Sequence, residues 1–126
     1  MNCQAVAEYI VSWLSGYVAG CGAKGFVVGI SGGVDSAVVS ALCARTGLPT
    51  LCVTLPIHQA SSQVSRAEEH IDNLVASFPN VERATAELTE PYEALLSVLP
   101  KEGVNFELTT ANTRARLRMT TLYFYA

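Results

Sequence analysis

Residues 26–37 have the sequence FVVGISGGVDSA. The first five of these residues form a continuous apolar run, which is typical of a strand buried on both faces of a parallel sheet. Gly32 and Gly33 then form a turn, and residues 36–45 have the pattern of a helix that a glycine and a proline close. A buried strand, a tight glycine turn and a helix together indicate a β-α unit.

The alternation of strand and helix continues on both sides of this unit. In chain order the predicted elements are a helix over residues 4–18, a strand over 26–30, a helix over 36–45 and a strand over 50–55. They continue with a helix over 64–78, a strand over 81–88, a helix over 89–100 and a last helix from residue 108. Ser65 and Glu68 are predicted to form a capping box at the start of the third helix. Strands joined by helix-length crossovers form a parallel sheet with helices on both faces. Ligands of such sheets bind beyond the carboxyl ends of the strands.

The composition supports a globular domain and excludes several other classes of protein. Of the 126 residues, 50% are hydrophobic and 15% are charged, which excludes an intrinsically disordered chain. The net charge of −3 gives no basic field for nucleic acid, and no apolar run reaches the roughly 18 residues of a membrane span.

The N-terminus lacks the basic start of a secretory signal. The cysteines have no C-x-x-C spacing and are expected to be buried, reduced thiols of a cytoplasmic protein, with disulfides or metal ligation as the alternatives: Cys3, Cys21, Cys43 and Cys52.

Residues 31–36, which we call the glycine loop, have the chemistry of a phosphate site. Free N–H groups and the dipole at a helix start attract anions, and the two glycines let a phosphate approach the backbone closely. Ser31 and Ser36 add hydroxyl donors. Asp35 repels a phosphate unless a divalent cation lies between them, and Mg²⁺ bridges carboxylate and phosphate oxygens in this way. The sequence therefore predicts a nucleoside triphosphate with magnesium on Asp35.

Four other interpretations of the loop are weaker. It lacks the lysine of a Walker A motif and the spacing of a dinucleotide-binding fingerprint. A flavodoxin-like redox domain has no use for a metal-bridging carboxylate at Asp35. The structural alternative is a tight turn in which Asp35 only caps the helix.

At these residues the chain resembles a known family. The loop SGGVDS, residues 31–36, is similar to the PP-loop of the ATP pyrophosphatases, which include GMP synthetase, asparagine synthetase, tRNA-modifying ligases and NAD synthetases. The segments LPIHQ, residues 55–59, and ANTRARLRM, residues 111–119, followed by Tyr123, are similar to ammonia-dependent NAD synthetases. The resemblance implies an α/β fold of the adenine nucleotide alpha hydrolase-like, Rossmann-like class. It further implies one PP-loop domain over residues 1–126 that is truncated at its C-terminus, since members of the family continue beyond this point.

The resemblance implies two sets of site residues. ATP would contact Gly29, Ile30, Ser31, Gly32, Gly33, Val34, Asp35, Ser36, Leu55 and His58. Ser31, Asp35 and Ser36 would be catalytic, with Asp35 as the metal ligand. Deamido-NAD would be bound at a subunit interface by Asn112, Arg116, Arg118 and Tyr123. A solvated helix face is the alternative for these arginines, although residues 109–126 contain three arginines and no acid, a pattern that favours an anionic ligand.

The implied reaction is the ATP-dependent amidation of deamido-NAD to NAD by ammonia through an adenylated intermediate, which releases AMP and pyrophosphate. The expected cofactors are ATP and Mg²⁺, the expected partners are deamido-NAD, ammonia and a second copy of the chain, and neither nucleic acid nor a membrane is expected. No cysteine has the context of a glutaminase nucleophile. The truncation implies an inactive or weakly active chain. The alternatives are another PP-loop enzyme, such as a tRNA-modifying ligase, and a non-catalytic nucleotide-binding or dimerisation module.

The two histidines and the aromatic residues leave simpler interpretations open. His58 either contacts ATP or acts as an acid in catalysis, or it makes a structural hydrogen bond in its loop. His70 is predicted to be solvated. Tyr9, Trp13 and Tyr17 are predicted in the core or in an interface. Arg114 and Arg118, four residues apart, share one helix face, from which Arg116 points away. Apolar groups near the end of the chain, Leu122, Tyr123 and Phe124, are expected to favour self-association.

Overall fold

The computed structural model of the chain describes residues 1–103 and 105–126. Its elements follow the predicted order: α1 (Cys3–Cys21), β1 (Phe26–Ile30), α2 (Val34–Arg45), β2 (Thr50–Thr54), α3 (Ser61–Ser77), β3 (Val81–Thr85), α4 (Thr89–Ser97) and α5 (Phe106–Tyr125). Over these described ranges, no helix combines the length and the apolar character needed to cross a membrane.

The three strands form one parallel sheet in the order β1-β2-β3. The register pairs Ile30 with Thr54 and Thr54 with Thr85, so the three strands end level with one another. The hydroxyls of Thr54 and Thr85 are 2.8 Å apart and hydrogen-bond at this edge. The glycine loop after β1 and residues 55–59 after β2 therefore leave the sheet at the same edge, as the sequence predicts.

Helices cover both faces of the sheet, which confirms the predicted layer architecture. Alternate strand residues enter two separate hydrophobic clusters, because successive side chains of a strand point to opposite faces. One cluster packs β1 and β2 against α2 and α3: Val28, Ile30, Cys43, Cys52, Ala67, Ile71 and Leu74. The other packs β2 and the residues that follow it against α4, its N-cap Leu88 and α5: Val53, Leu55, Ile57, Leu88, Tyr92, Leu117 and Leu122. β1 and β2 are thus enclosed by helices on both faces, whereas most of β3, at the edge of the sheet, is exposed.

Helix α3 begins earlier than predicted, and the capping box was wrong. The helix starts at Ser61 with Ala60 as N-cap and without a side-chain cap, so Ser65 and Glu68 lie inside it. Its first turn is polar, because residues 61–63 face solvent or the site rather than the core. Hydrophobic periodicity, which begins only at Val64, does not detect such a turn.

Strand β3 ends at Thr85, three residues before the predicted end. The chain beyond it still hydrogen-bonds to its neighbour, since the N–H of Ala86 donates to the Thr54 carbonyl and the N–H of Leu88 donates to the Pro56 carbonyl, both at 2.9 Å. These contacts, and the burial of Leu88, explain why the sequence pattern continues after the regular ladder has ended.

All four cysteines are free, as predicted, but only two of them are buried. Cys43 and Cys52 lie in the core, where burial raises the pKa of Cys43 and raises the pKa of Cys52 to about 11. Both are therefore neutral thiols at physiological pH. Cys3 and Cys21, at the two ends of α1, are exposed, so the prediction of burial was wrong for them. Helix α1 is amphipathic, and its ends extend beyond the core.

Candidate functional site

The glycine loop is ordered by its own two serines. The N–H of Ser31 donates to the Ser36 hydroxyl at 3.1 Å, and the two hydroxyl oxygens are also 3.1 Å apart. The N–H of Gly33 donates to the Ser31 hydroxyl at 3.2 Å, and the Ser36 hydroxyl donates to the Gly33 carbonyl at 3.3 Å. These bonds close the loop on itself and set its shape before any ligand binds.

Helix α2 presents unpaired N–H groups at the loop. Its N-cap is Gly33, which has no side chain to cap the helix, and the first backbone bond runs from Ala37 to Gly33 at 3.3 Å. The N–H groups of Val34, Asp35 and Ser36 precede that bond and have no helical acceptor. Such groups at the positive end of the helix dipole form a site for an anion. Since Gly33 is the N-cap, Asp35 is not needed as a helix cap.

Asp35 is exposed in the first turn of α2, and it takes part in none of the ion pairs of the described residues. The described part of the chain also contains no group of three or more side chains able to hold a metal alone. A single free carboxylate beside a phosphate site fits Mg²⁺, which proteins often bind through one or two carboxylates together with substrate phosphates. The residues present therefore suit a metal that arrives with a nucleotide.

The loop approaches α3 so closely that Gly32 has no room for a side chain. Its φ of +87° lies in the left-handed region, and a Cβ atom there would be 2.5 Å from the carbonyl oxygen of Gln63. Both features require glycine. The loop is therefore fixed between its own serine bonds and the first turns of α3.

A cavity of about 300 Å³, the loop cavity, lies beside the glycine loop at the carboxyl edge of the sheet. The ends of the three strands and the segments after β1 and β2 contribute to it, together with α3 and α5. Its lining includes Gly29, Ile30, Ser31, Leu55, Gln59, Gln63, Arg118, Leu122 and Glu68, whose carboxylate pairs with Arg83. The volume is within the range of small-molecule sites. Of the predicted ATP contacts, the structure brings Gly29, Ile30, Ser31 and Leu55 together here.

Arg118 lies in the loop cavity, apart from the other residues predicted to bind deamido-NAD. Its Nε donates to the Leu55 carbonyl at 2.9 Å and its Nη2 donates to the Gln59 side chain at 3.0 Å. Burial, and secondly the charge of Arg114, hold the pKa of the Arg118 guanidinium below its usual value. The side chain nevertheless stays charged at physiological pH. A half-buried cation without a carboxylate partner among the described residues favours an anion in this cavity.

His58 lies outside the loop cavity and holds residues 55–59 in place. Its φ of +48° is unusual for a residue with a side chain, its N–H donates to the Thr89 hydroxyl at 3.1 Å, and its ring pairs with Glu93. The ring also meets the edge of Tyr92, with the centroids 6.1 Å apart. His58 thus makes the structural contacts that were one of its two predicted roles, and it lines a second cavity of about 590 Å³ beside Arg114.

Sequence reasoning missed two residues on α3, one of which contacts the loop and the other α2. Arg66 donates from Nε to the Gly32 carbonyl at 3.3 Å. His70 was predicted to be solvated, and this was wrong: it is half-buried, with Nε2 hydrogen-bonded to the hydroxyl of the buried Ser40 at 2.8 Å. Both lie on the polar side of an amphipathic helix, where the sequence pattern alone indicates a solvated face.

The outward face of α5 carries the remaining predicted residues. Asn112, Arg116 and Tyr123 are exposed, and their spacing of four and seven residues places them along one side of the helix. Arg116 thus points away from Arg114 and Arg118, as predicted. Tyr123 and Phe124 are 74% and 86% exposed, whereas Leu122 is half-buried and packs in the core, contrary to expectation.

Helix α1 presents a second apolar surface. Tyr9, Trp13 and Tyr17 follow one another at four-residue intervals, all are exposed, and the rings of Trp13 and Tyr17 stack at 5.3 Å. The predicted core location was therefore wrong, and the predicted location in an interface stays a prediction. Exposed aromatic groups in such a row are typical of a protein–protein contact.

Comparisons with known proteins agree with this geometry. A family described as NAD synthase matches residues 6–126. The NH3-dependent NAD+ synthetases of Syntrophomonas wolfei and Finegoldia magna are 38% and 34% identical over the whole chain, which covers 51% and 50% of those proteins. Among solved structures, NMN synthetase from Francisella tularensis has a TM-score of 0.88 at 35% identity and is matched over 50% of its chain by the whole of this one. NH3-dependent NAD synthetase from Campylobacter jejuni has a TM-score of 0.84 at 26% identity, with 99% of this chain covering 52% of that one.

The chain therefore spans about half the length of these relatives. The family match extends over nearly all of its residues and includes the glycine loop, the segment after β2 and helix α5. The chain belongs to the NAD synthase family.

Proposed function

We propose that this chain binds ATP at the glycine loop and takes part in the amidation of deamido-NAD to NAD by ammonia. The observation that carries the proposal is the loop itself: unpaired N–H groups of α2, two serine hydroxyls and a free Asp35 carboxylate beside a cavity at the carboxyl edge of the sheet. The named relatives are NH3-dependent NAD+ synthetases, which supports the same reaction. A cytoplasmic location stays a prediction from the sequence.

In the proposed reaction a carboxylate oxygen of the nicotinic acid group attacks the α-phosphorus of ATP, and pyrophosphate leaves with the electrons of the broken P–O bond. Ammonia then adds to the acyl carbon, AMP leaves, and loss of a proton gives the amide. Because the carboxylate becomes a good electrophile only as the adenylate, the main task of the protein is to position the reactants and stabilise the phosphate charge.

The proposed roles follow from position. The N–H groups of α2 bind the pyrophosphate portion of ATP, and Ser31 and Ser36 fix the loop and donate to phosphate oxygens. Asp35 holds Mg²⁺, which supplies positive charge that offsets the phosphates. Leu55 and Gly29 line the loop cavity, and Arg118 is reassigned to ATP because it lies in that cavity. His58 does not contact ATP in this proposal and affects its binding only by holding residues 55–59 in place.

Deamido-NAD is proposed to bind the outward face of α5 through Asn112, Arg116 and Tyr123. These three residues are exposed and have no acidic partner among the described ion pairs. An arginine in this state can form a bidentate pair with a phosphate of the ligand. An alternative substrate is the corresponding mononucleotide, since one similar structure is an NMN synthetase.

We test the ATP site by thermal-shift titration with Mg-ATP, comparing the wild-type chain with Asp35→Ala. A ligand that binds only the folded state raises the melting temperature by mass action. Wild type is expected to be stabilised, and Asp35→Ala should need roughly tenfold more Mg-ATP for the same shift, because one charge-assisted metal contact is lost. The same series with deamido-NAD and with its mononucleotide identifies the second ligand. If wild type and Asp35→Ala gave the same shift at every Mg-ATP concentration, Asp35 would have no role in binding the metal.

The chain is also proposed to form a homodimer through the aromatic row of α1 and the exposed end of α5. Sedimentation equilibrium is expected to give twice the mass of the chain for wild type and the monomer mass for Trp13→Glu, which places a charge in the stacked pair. Val75→Glu, at an exposed apolar residue of α3, is the matched control and should stay dimeric. A monomeric wild type at high concentration would contradict the proposal.

A further inference from the structure

One side of α3 faces the glycine loop. Gln63, Arg66 and His70 are spaced by three and four residues, so they share a face of the helix. The carbonyl of Gln63 contacts Gly32, Arg66 donates to the Gly32 carbonyl, and His70 reaches the start of α2 through Ser40. This polar stripe is therefore a contact surface for the loop rather than a solvated face.

Arg66 brings an available positive charge to the loop. Its Nε is used by the Gly32 carbonyl, which leaves the other guanidinium N–H groups free for a ligand. It takes part in none of the ion pairs of residues 1–103 and 105–126. With Gly32, Gly33 and Val34 it lines a third cavity of about 300 Å³, whose lining does not include Arg118. That cavity borders the same unpaired N–H groups of α2.

His70 is tied to the loop through two hydrogen bonds in series. The hydroxyl of Ser40, which is fully buried, donates to the Ser36 carbonyl at 2.7 Å, and its oxygen is hydrogen-bonded to Nε2 of His70 at 2.8 Å. Ser36 in turn holds the loop closed through Ser31. The charged groups that face His70 are Arg66 and Glu69 of its own helix, and α2 contributes the uncharged Ser40.

We propose that α3 forms a second wall of the phosphate site, in which Arg66 binds an oxygen of the nucleotide triphosphate and His70 positions the loop through Ser40. The inference rests on the proposed ATP site and adds two residues to it. Helix α3, as well as helix α2, would then contribute to the affinity for phosphate.

The role of Arg66 is tested with the 126-residue chain by calorimetric titration of Mg-ATP and of inorganic pyrophosphate. Arg66→Gln is expected to weaken both affinities roughly tenfold, and Arg66→Lys, which keeps the charge, should weaken them less. Raising the salt concentration should reduce the affinity of wild type more than that of Arg66→Gln. Arg45→Gln, an exposed arginine at the far end of α2, is the matched control and should bind as wild type does.

The role of His70 is tested with His70→Gln, whose amide can still donate to Ser40, and His70→Ala, which cannot. We expect His70→Ala to lose several-fold in affinity and His70→Gln to recover most of it, with Ser40→Ala resembling His70→Ala. Melting temperatures without ligand report any general loss of stability. If His70→Ala lowers the melting temperature but leaves the affinity unchanged, the positioning role is overturned.

The outcomes separate this inference from the proposed function. Binding of Mg-ATP that depends on Asp35 but is the same in wild type and Arg66→Gln overturns the phosphate role of Arg66 and leaves the proposed ATP site intact. Absence of any Mg-ATP or pyrophosphate binding by the folded wild-type chain overturns both.

Discussion

Gly32→Ala is expected to abolish Mg-ATP binding and to lower the free energy of unfolding by about 3 kcal/mol. The left-handed φ of +87° costs a residue with a side chain about 1–2 kcal/mol. The added methyl group would also lie 2.5 Å from the Gln63 carbonyl oxygen, so the loop or α3 must move, with a further cost of about 1–3 kcal/mol. Either movement separates the loop from the contacts that shape it.

The matched control is Gly47→Ala at the end of α2. Gly47 has a similar φ of +77°, but no atom lies within 4 Å of the position of its Cβ. This variant should show the conformational cost alone and bind Mg-ATP normally. Urea denaturation and thermal-shift titration measure the two effects. Equal behaviour of the two alanine variants would show that contact with α3 does not matter.

Arg118→Met is expected to remove most of the affinity for Mg-ATP and to destabilise the fold by about 2 kcal/mol. Methionine retains the apolar stem, but the buried carbonyl of Leu55 loses its charged donor, and an unsatisfied buried acceptor costs about 1–3 kcal/mol. Gln59 is also released, so residues 55–59 lose their link to α5. Arg118→Lys should recover little of the affinity or stability, because one ammonium group does not replace the two guanidinium hydrogen bonds to the Leu55 carbonyl and the Gln59 side chain.

The comparison with Arg116→Met makes this prediction specific. Arg116 is exposed on the opposite side of the same helix, two residues away. Its replacement should leave stability and Mg-ATP binding unchanged while it reduces the affinity for deamido-NAD. The two variants should therefore lose different ligands in parallel calorimetric titrations. Loss of the same ligand by both would show that α5 does not separate two sites.

Much of the fold follows from the sequence because three signals agree. The apolar run of β1 predicts a strand buried on both faces, the glycines that follow it predict the turn, and helical periodicity predicts the crossovers. The element order and the layers are confirmed on this basis. The start of α3 and the end of β3 were wrong, because a polar helical turn and a chain that leaves the ladder gradually carry no periodic signal.

The site is less accessible from sequence than the fold. The glycine loop is recognisable because its residues are adjacent and need special backbone geometry. Arg66 and His70 reach it from 30 or more positions along the chain, and only packing of α3 against α2 brings them there. Arg118 and Arg116 differ by two residues in sequence yet face opposite directions, so a motif that contains both does not reveal which ligand each would meet.

The order β1-β2-β3 has a practical consequence for anyone who handles the protein. β1 is a short apolar strand, FVVGI, and within residues 1–103 and 105–126 no strand pairs with its outer side. Its backbone donors and acceptors there are a template for strand addition, and the segment contains no proline or charge that would discourage it. This edge is therefore the place where a further strand would extend the sheet. Shielding of this apolar edge would therefore favour solubility, in addition to the charge of the acidic surface.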